Sequence, residues 1–353
     1  MVPDAIPFEQ VRRVLVVKLR HHGDVLLTSP VLSVLKAHYP HLEIDALVYS
    51  DTAPMLADHP ALSQLYVTLR KGAGVVAEWK LFQALRSRHY DLLIHLTDSS
   101  RGAWLARLLG VRWAVAGQAN KPTFWKQSFT HLYPIIGGNR RHTVEIHLDA
   151  LRRIGLYPDL DERRLVLVPG LAAEDKVGGW LRQQGLTPKS FVQIHPASRW
   201  WFKCWPAEHM AELIDQLTAA GQTIVLTGAP DDKERALVAD IESRLKRPVL
   251  NLVGQLNLKE LAALTAQARL FIGMDSVPMH IAAAMQTPTV ALFGPSGDIE
   301  WAPWQVAAQV LTSDHPCRPC GKDGCGGGKR SECLEAIPVE RVAKVAQQWL
   351  TDR

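Results

Sequence analysis

The chain has 353 residues, 47% hydrophobic and 21% charged, a globular balance with length for two domains rather than one. Its formal net charge of +5 suits an anionic small molecule or an anionic membrane surface, and with no basic arm or nucleic-acid motif beside it, nucleic acid is not an expected partner. The opening MVPDAIPFEQ is acidic and lacks an apolar core region, and no run of about 18 apolar residues follows anywhere, so the expectation is a cytoplasmic protein, with peripheral attachment to a membrane left open.

Strand-like runs alternate with helical patterns along the whole chain, which predicts an α/β fold with parallel sheets. VLVVKL (residues 14–19) reads as a buried strand. It is followed by Arg20, His21, His22, Gly23 and Asp24, and then at once by a helical pattern. A lone carboxylate among bases at a strand-to-helix turn has two readings. Asp24 caps the helix, accepting free backbone N–H groups. Alternatively it is a general base, kept ionised by Lys18, Arg20, His21 and His22, or with those bases turned toward an anionic substrate. Further strands are predicted at IDALVY, LYVTL, LLIHL and WAVAG, with a helix over EWKLFQALRSRH. The loop NKPTFWKQSF (120–129), which carries Lys121, is either an acceptor or membrane-edge contact or a partly packed surface loop. The polar, Pro-containing GLYPDLDERR (155–164) reads as the linker, which gives domains 1–160 and 161–353.

The second half repeats the pattern: strand FVQIHP, helix AEHMAELIDQLTAAG, strand TIVLTG, helix LKELAALTAQA, strand LFIGMD, helix VPMHIAAAMQ, strand VALFG. Two doubly wound halves in tandem bind ligand in a crevice at the carboxyl ends of their strands, and the unusual residues fall at those ends. HPASRWWFKCWPAEH (195–209) places Ser198, Arg199 and Lys203 after one strand. A lysine ammonium there is a point charge suited to phosphate; the plain alternative is a surface loop over packed tryptophans. TGAPDDKER (227–235) offers Glu234 or Asp231 for ribose hydroxyls, or Asp231 and Asp232 as helix caps. In FIGMDSVPMHIAAAMQTPTVALFGPSG, Asp275 and Ser276 open a small-residue helix. Its N-terminus is a ready site for a diphosphate, beside which Asp275 either binds sugar hydroxyls or merely caps. Gly294 lies in another strand-end turn.

Cys317, Cys320, Cys325 and Cys333 follow the spacing C-x2-C-x4-C-x7-C. In a cytosolic chain this favours a structural metal over disulfides, yet it matches no standard pair-plus-pair zinc pattern. The segment 315–335 is therefore read as structural, with metal ligation open. There is no P-loop, no G-x-G-x-x-G and no H-E-x-x-H, and the one D-x-D, Asp159–Asp161, falls in the linker. A metal-bridged diphosphate is not favoured.

Taken together, KLRHHGD, HPASRWWFKCWP, GMDSVPMHIAAAMQTPTVALFG and DIEWAPW resemble the ADP-heptose:lipopolysaccharide heptosyltransferases over nearly the whole chain. The forms RHHGD, FKCW and DSVPMHIAAA are most similar to the branch that adds the third, branching heptose of the inner core. The resemblance implies a GT-B fold of two Rossmann-like domains facing a central crevice and an inverting glycosyl transfer that requires no cofactor. It implies an ADP-heptose donor and a lipopolysaccharide inner-core acceptor at the cytoplasmic face of the inner membrane. Position by position it implies Asp24 as catalytic base, with Ser198, Lys203, Glu234, Asp275, Ser276, His280 and Gly294 on the donor. Arg20, His21, His22 and Lys121 would meet the acidic acceptor. Rivals are another subtype of the family, a nucleotide-sugar 2-epimerase on the same architecture, and a non-catalytic binder docking through the cysteine cluster.

Overall fold

A computed structural model describes residues 4–71, 74–118 and 120–351. The chain divides into two compact units, Met1–Val168 and Pro169–Arg353. The first unit holds β1 (Arg13–Lys18), β2 (Glu43–Tyr49), β3 (Gln64–Thr68), β4 (Leu92–His95), β5 (Trp113–Gln118) and β6 (His131–Pro134). The second holds β7 (Phe191–His195), β8 (Thr223–Leu226), β9 (Leu250–Asn251), β10 (Leu270–Met274), β11 (Thr289–Leu292) and β12 (Ala308–Leu311).

All pairings within both sheets are parallel. The strand orders are β3-β2-β1-β4-β5-β6 and β12-β11-β10-β7-β8-β9. In each sheet the order in which strands are added reverses once, between β1 and β4 and between β7 and β10. Those reversals are where such sheets open a space for ligand beyond the strand ends.

The central strands are covered by helices on both faces, and their side chains are buried whichever way they point: Val14, Leu15, Val16 and Val17 in β1, Phe271, Ile272 and Met274 in β10. This is why they read as continuous apolar runs. β6, β9 and β12 carry no such run and do not stand out in the sequence. All three are sheet edges, and HLYP, LN and AQVL are short or only partly buried.

The boundary at 160/161 read from the sequence differs from the division after Val168. The segment beyond 160 stays with the first unit: Arg163 pairs with Glu145 at 2.8 Å, the Val166 N–H donates to Ser29 Oγ at 3.0 Å, and Leu165 and Leu167 are buried.

Candidate functional site

In the first unit the polar groups gather where β1 and β4 part. Asp24 lies in the first turn of the short helix His22–Leu26. It does not cap that helix: the N-cap is His21, which makes no side-chain cap bond. The Asp24 carboxylate instead faces Lys18 Nζ at 3.6 Å and Arg20 Nε at 4.0 Å, both at Oδ1. His22 Nε2 lies 2.8 Å from the Asp51 carbonyl, and the His21 carbonyl accepts from the Val25 N–H.

Lys18 ends β1 and is buried. Its ammonium donates to the Leu96 carbonyl at 2.9 Å and sits 2.8 Å from His147 Nε2. His147, on the helix Thr143–Arg152, has its other ring nitrogen 3.0 Å from the Leu27 carbonyl. A carbonyl can only accept, so Nδ1 carries the proton and Nε2 offers its lone pair to Lys18. Burial pushes Lys18 down to about 8, against the attraction of Asp24. Burial, then the Lys18 charge, holds His147 well below the usual histidine range, so the ring is neutral. Lys121 pairs with Asp98 at 3.4 Å. In the loop 120–129, Trp125 is buried and donates to the Ser99 carbonyl at 3.1 Å. Phe124 is exposed, packed on Trp104 and under the Arg107 guanidinium.

In the second unit the corresponding point lies between β7 and β10. Lys203 follows β7 in a short turn, and its Nζ donates to Asp275 Oδ2 at 2.5 Å, just past the end of β10. Asp275 does not cap the helix Val277–Ala284; the N-cap is Ser276, again without a side-chain cap bond. His280 is buried in that helix, edge-on to Trp301. Ser198 is buried, its N–H directed at Cys204 Sγ at 3.3 Å, and burial pushes the Cys204 thiol up to about 12.

Glu234 Oε2 accepts from the Ala229 N–H at 2.6 Å. His195 Nε2 lies 3.7 Å away, too far for a hydrogen bond. Burial lowers His195 to about 4 and raises Glu234, so the imidazole is neutral and no ion pair forms. Asp231 is the helix cap, accepting from the Lys233 and Glu234 N–H groups. Gly294 is hemmed from behind: a Cβ there would stand 2.9 Å from Leu334 Cβ.

The cysteine-rich segment braces these turns. Ser331 Oγ donates to the Phe202 carbonyl at 2.6 Å, Arg318 Nε to the Gly294 carbonyl at 2.7 Å, and the Gly321 N–H to the Pro295 carbonyl at 2.9 Å. Cys317 and Cys325 are exposed, Cys320 is half-buried and Cys333 is buried. None is in a disulfide. Among the described residues no group of three or more His, Cys, Asp or Glu is arranged to hold a metal ion, so the structure gives the metal option for this segment no support.

Each sheet thus brings together a lysine and an aspartate at its own reversal point. The sequence points to all four residues without showing which partner each takes. His147 and Thr227, whose Oγ1 lies 3.0 Å from His195 Nδ1, escape a reading of the sequence. The signal available for the first is Lys18 itself: a lysine inside an apolar strand needs a buried partner.

Two Rossmann-like units with these sheets define a GT-B glycosyltransferase fold. A glycosyltransferase family 9 protein of solved structure from Veillonella parvula superposes with a TM-score of 0.84 over 97% of this chain and 98% of that one, at 24% identity. Residues 78–329 match glycosyltransferase family 9 (heptosyltransferase). The lipopolysaccharide heptosyltransferase 3 of Escherichia coli K12 is 38% identical over 95% of this chain and 97% of its own length. A second E. coli heptosyltransferase 3 is 39% identical over 81% and 84% respectively. The chain belongs to glycosyltransferase family 9, the heptosyltransferases.

Proposed function

We propose that the chain transfers a heptose from ADP-heptose to a heptose of the lipopolysaccharide inner core, with inversion, as a heptosyltransferase of the third type. The observation that carries this reading is the likeness to lipopolysaccharide heptosyltransferase 3 over 95% of the chain.

In the proposed reaction Asp24 takes the proton of the acceptor hydroxyl as its oxygen attacks the anomeric carbon. The bond from that carbon to the diphosphate breaks, and ADP leaves with the electron pair from the opposite face. A base must be ionised and not already committed to a helix end; Asp24 faces two cations and caps nothing. Negative charge grows on the departing diphosphate, where Lys203 and the N-terminus beginning at Ser276 offset it. Ser198 joins Lys203 at the diphosphate, Glu234 holds the ribose hydroxyls, Asp275 sets the donor heptose, and His280 and Gly294 complete the donor side. Arg20, His21, His22 and Lys121 suit the phosphorylated, acidic acceptor. No step uses a metal.

Among the described residues no helix is long and apolar enough to cross a membrane. We infer work at the cytoplasmic face of the inner membrane by peripheral contact. Exposed Trp104 and Phe124, with Arg107 over the ring, form the aromatic-and-cation surface that suits an anionic bilayer edge. Co-sedimentation with anionic vesicles, weakened by Phe124→Ser, is the expected result; equal pelleting of both forms contradicts it.

The test of the reaction is ADP release from ADP-heptose, with and without a heptosylated inner-core acceptor, for the wild type and Asp24→Ala. Release that needs acceptor and collapses in the variant is expected. Release that survives the substitution returns Asp24 to a structural role, and turnover of donor without any acceptor supports the epimerase rival.

A further inference from the structure

The deepest charged group near Asp24 has no part in the reaction as described. Lys18 is an ammonium with three N–H donors and no acceptor. Three groups stand around it: the Leu96 carbonyl at 2.9 Å, His147 Nε2 at 2.8 Å and Asp24 Oδ1 at 3.6 Å. The first two are fixed by the fold. Leu96 follows β4, its own N–H bonded to the Val17 carbonyl, and His147 is clamped through its second nitrogen to the Leu27 carbonyl. The ammonium is therefore aimed before any substrate arrives. Burying it is costly unless its charge is needed, and a methionine would fill the same space without that penalty.

We propose that Lys18 is a positioning residue for the base: held by Leu96 and His147, its ammonium fixes Oδ1 of Asp24 so that the other carboxylate oxygen points at the acceptor hydroxyl. This rests on the proposed role of Asp24. His147 acts one step further out, as the neutral acceptor that orients the ammonium, which is the part outer partners play around metal ligands and catalytic groups. Arg20 reaches the same Oδ1 from the exposed side at 4.0 Å and supplies charge without a fixed direction.

The arrangement has a pH signature. The charged groups bearing on Lys18 are Asp24, Arg20 and Asp98. His95 and His147 also face it and are both held neutral by burial, with His142 behind His147. Lys18 itself is pushed down to about 8. Below that pH it is an ammonium facing Asp24 Oδ1 at 3.6 Å; as pH rises through it, that charge is lost. Turnover is therefore expected to fall with rising pH near 8, well before an ordinary lysine would titrate.

The experiment measures kcat, and KM for ADP-heptose, across neutral and alkaline pH with the full chain and an inner-core acceptor. The forms are wild type, Lys18→Met, His147→Leu and Asp24→Asn. Lys18→Met is expected to lower kcat about 100-fold with donor KM within about twofold, and to abolish the alkaline fall, since the titrating group is gone. His147→Leu keeps the lysine but removes an acceptor for its charged form. It is expected to lower kcat about tenfold and to move the alkaline fall to lower pH. A purely structural lysine would change the melting temperature and leave the pH profile in place. Asp24→Asn inactive with Lys18→Met at the wild-type rate and profile overturns the positioning role alone. Asp24→Asn at the wild-type rate overturns the base, and this inference with it. Should Lys18→Met not fold, as judged by its melting curve, a wild-type profile in His147→Leu overturns the proposal.

Discussion

The two lysine–aspartate pairs are built alike and turned inside out. In the first unit the lysine is the hidden partner, its side chain 6% exposed against 15% for Asp24. In the second the aspartate is hidden, Asp275 at 7% against 20% for Lys203. Each pair thus offers one charge outward and keeps the opposite charge beneath it. The offered charge matches the proposed chemistry, with a carboxylate where a proton is to be taken and an ammonium where a diphosphate is to leave. Each sheet supplies such a position at its reversal, and the identity of the buried partner decides which sign is presented.

The sharpest way to break this comparison is to neutralise the offered groups. Asp24→Asn keeps the shape and is expected to cost about 10³-fold in kcat with little change in donor KM, read by acceptor-dependent ADP release. Lys203→Met should cost about 10²-fold in kcat/KM, with donor KM rising as well, because the proposed phosphate contact is made in the ground state too. Replacing the hidden partner should both leave Lys203 unaimed and remove the proposed contact to the donor heptose: for Asp275→Asn about tenfold in kcat/KM is expected. An Asp275→Asn loss as large as that of Lys203→Met would mean that the heptose contact outweighs the aiming of Lys203, and the symmetry between the pairs would fail.

Smaller effects concern the frame. Gly294→Ala would push a Cβ against Leu334 Cβ at 2.9 Å, main-chain-proximal on both sides, and a loss of about 1–3 kcal/mol is expected in denaturant titration. Prolonged chelation should leave both the transfer rate and the melting temperature unchanged; a drop in either would assign the cysteines a metal after all.

What the sequence reveals follows from burial. Central strands are legible because a strand covered on both faces must be apolar at every position. β6, β9 and β12 are not, because an edge tolerates polar residues and shortness; β3, also an edge, is legible through its own LYVTL run. At the sites, residue types are visible and partners are not. Lys203 and Asp275 lie 72 residues apart in sequence and Lys18 and His147 lie 129 apart; only the strand order brings the first pair together, and only the packing of the helix Thr143–Arg152 brings the second. Asp24 has four basic candidates beside it in the sequence. Of these, Lys18 and Arg20 face the carboxylate, and the His22 ring lies against the Asp51 carbonyl.

The bonds from Ser331 to Phe202 and from Arg318 to Gly294 give the cysteine-rich segment an authority its position in the chain conceals. A chain shortened to end before residue 315 would retain every residue assigned to the donor, yet two of the turns that carry them would lose their backing. A change in that tail would therefore reach the turns at Phe202 and Gly294 without altering any residue assigned to the donor.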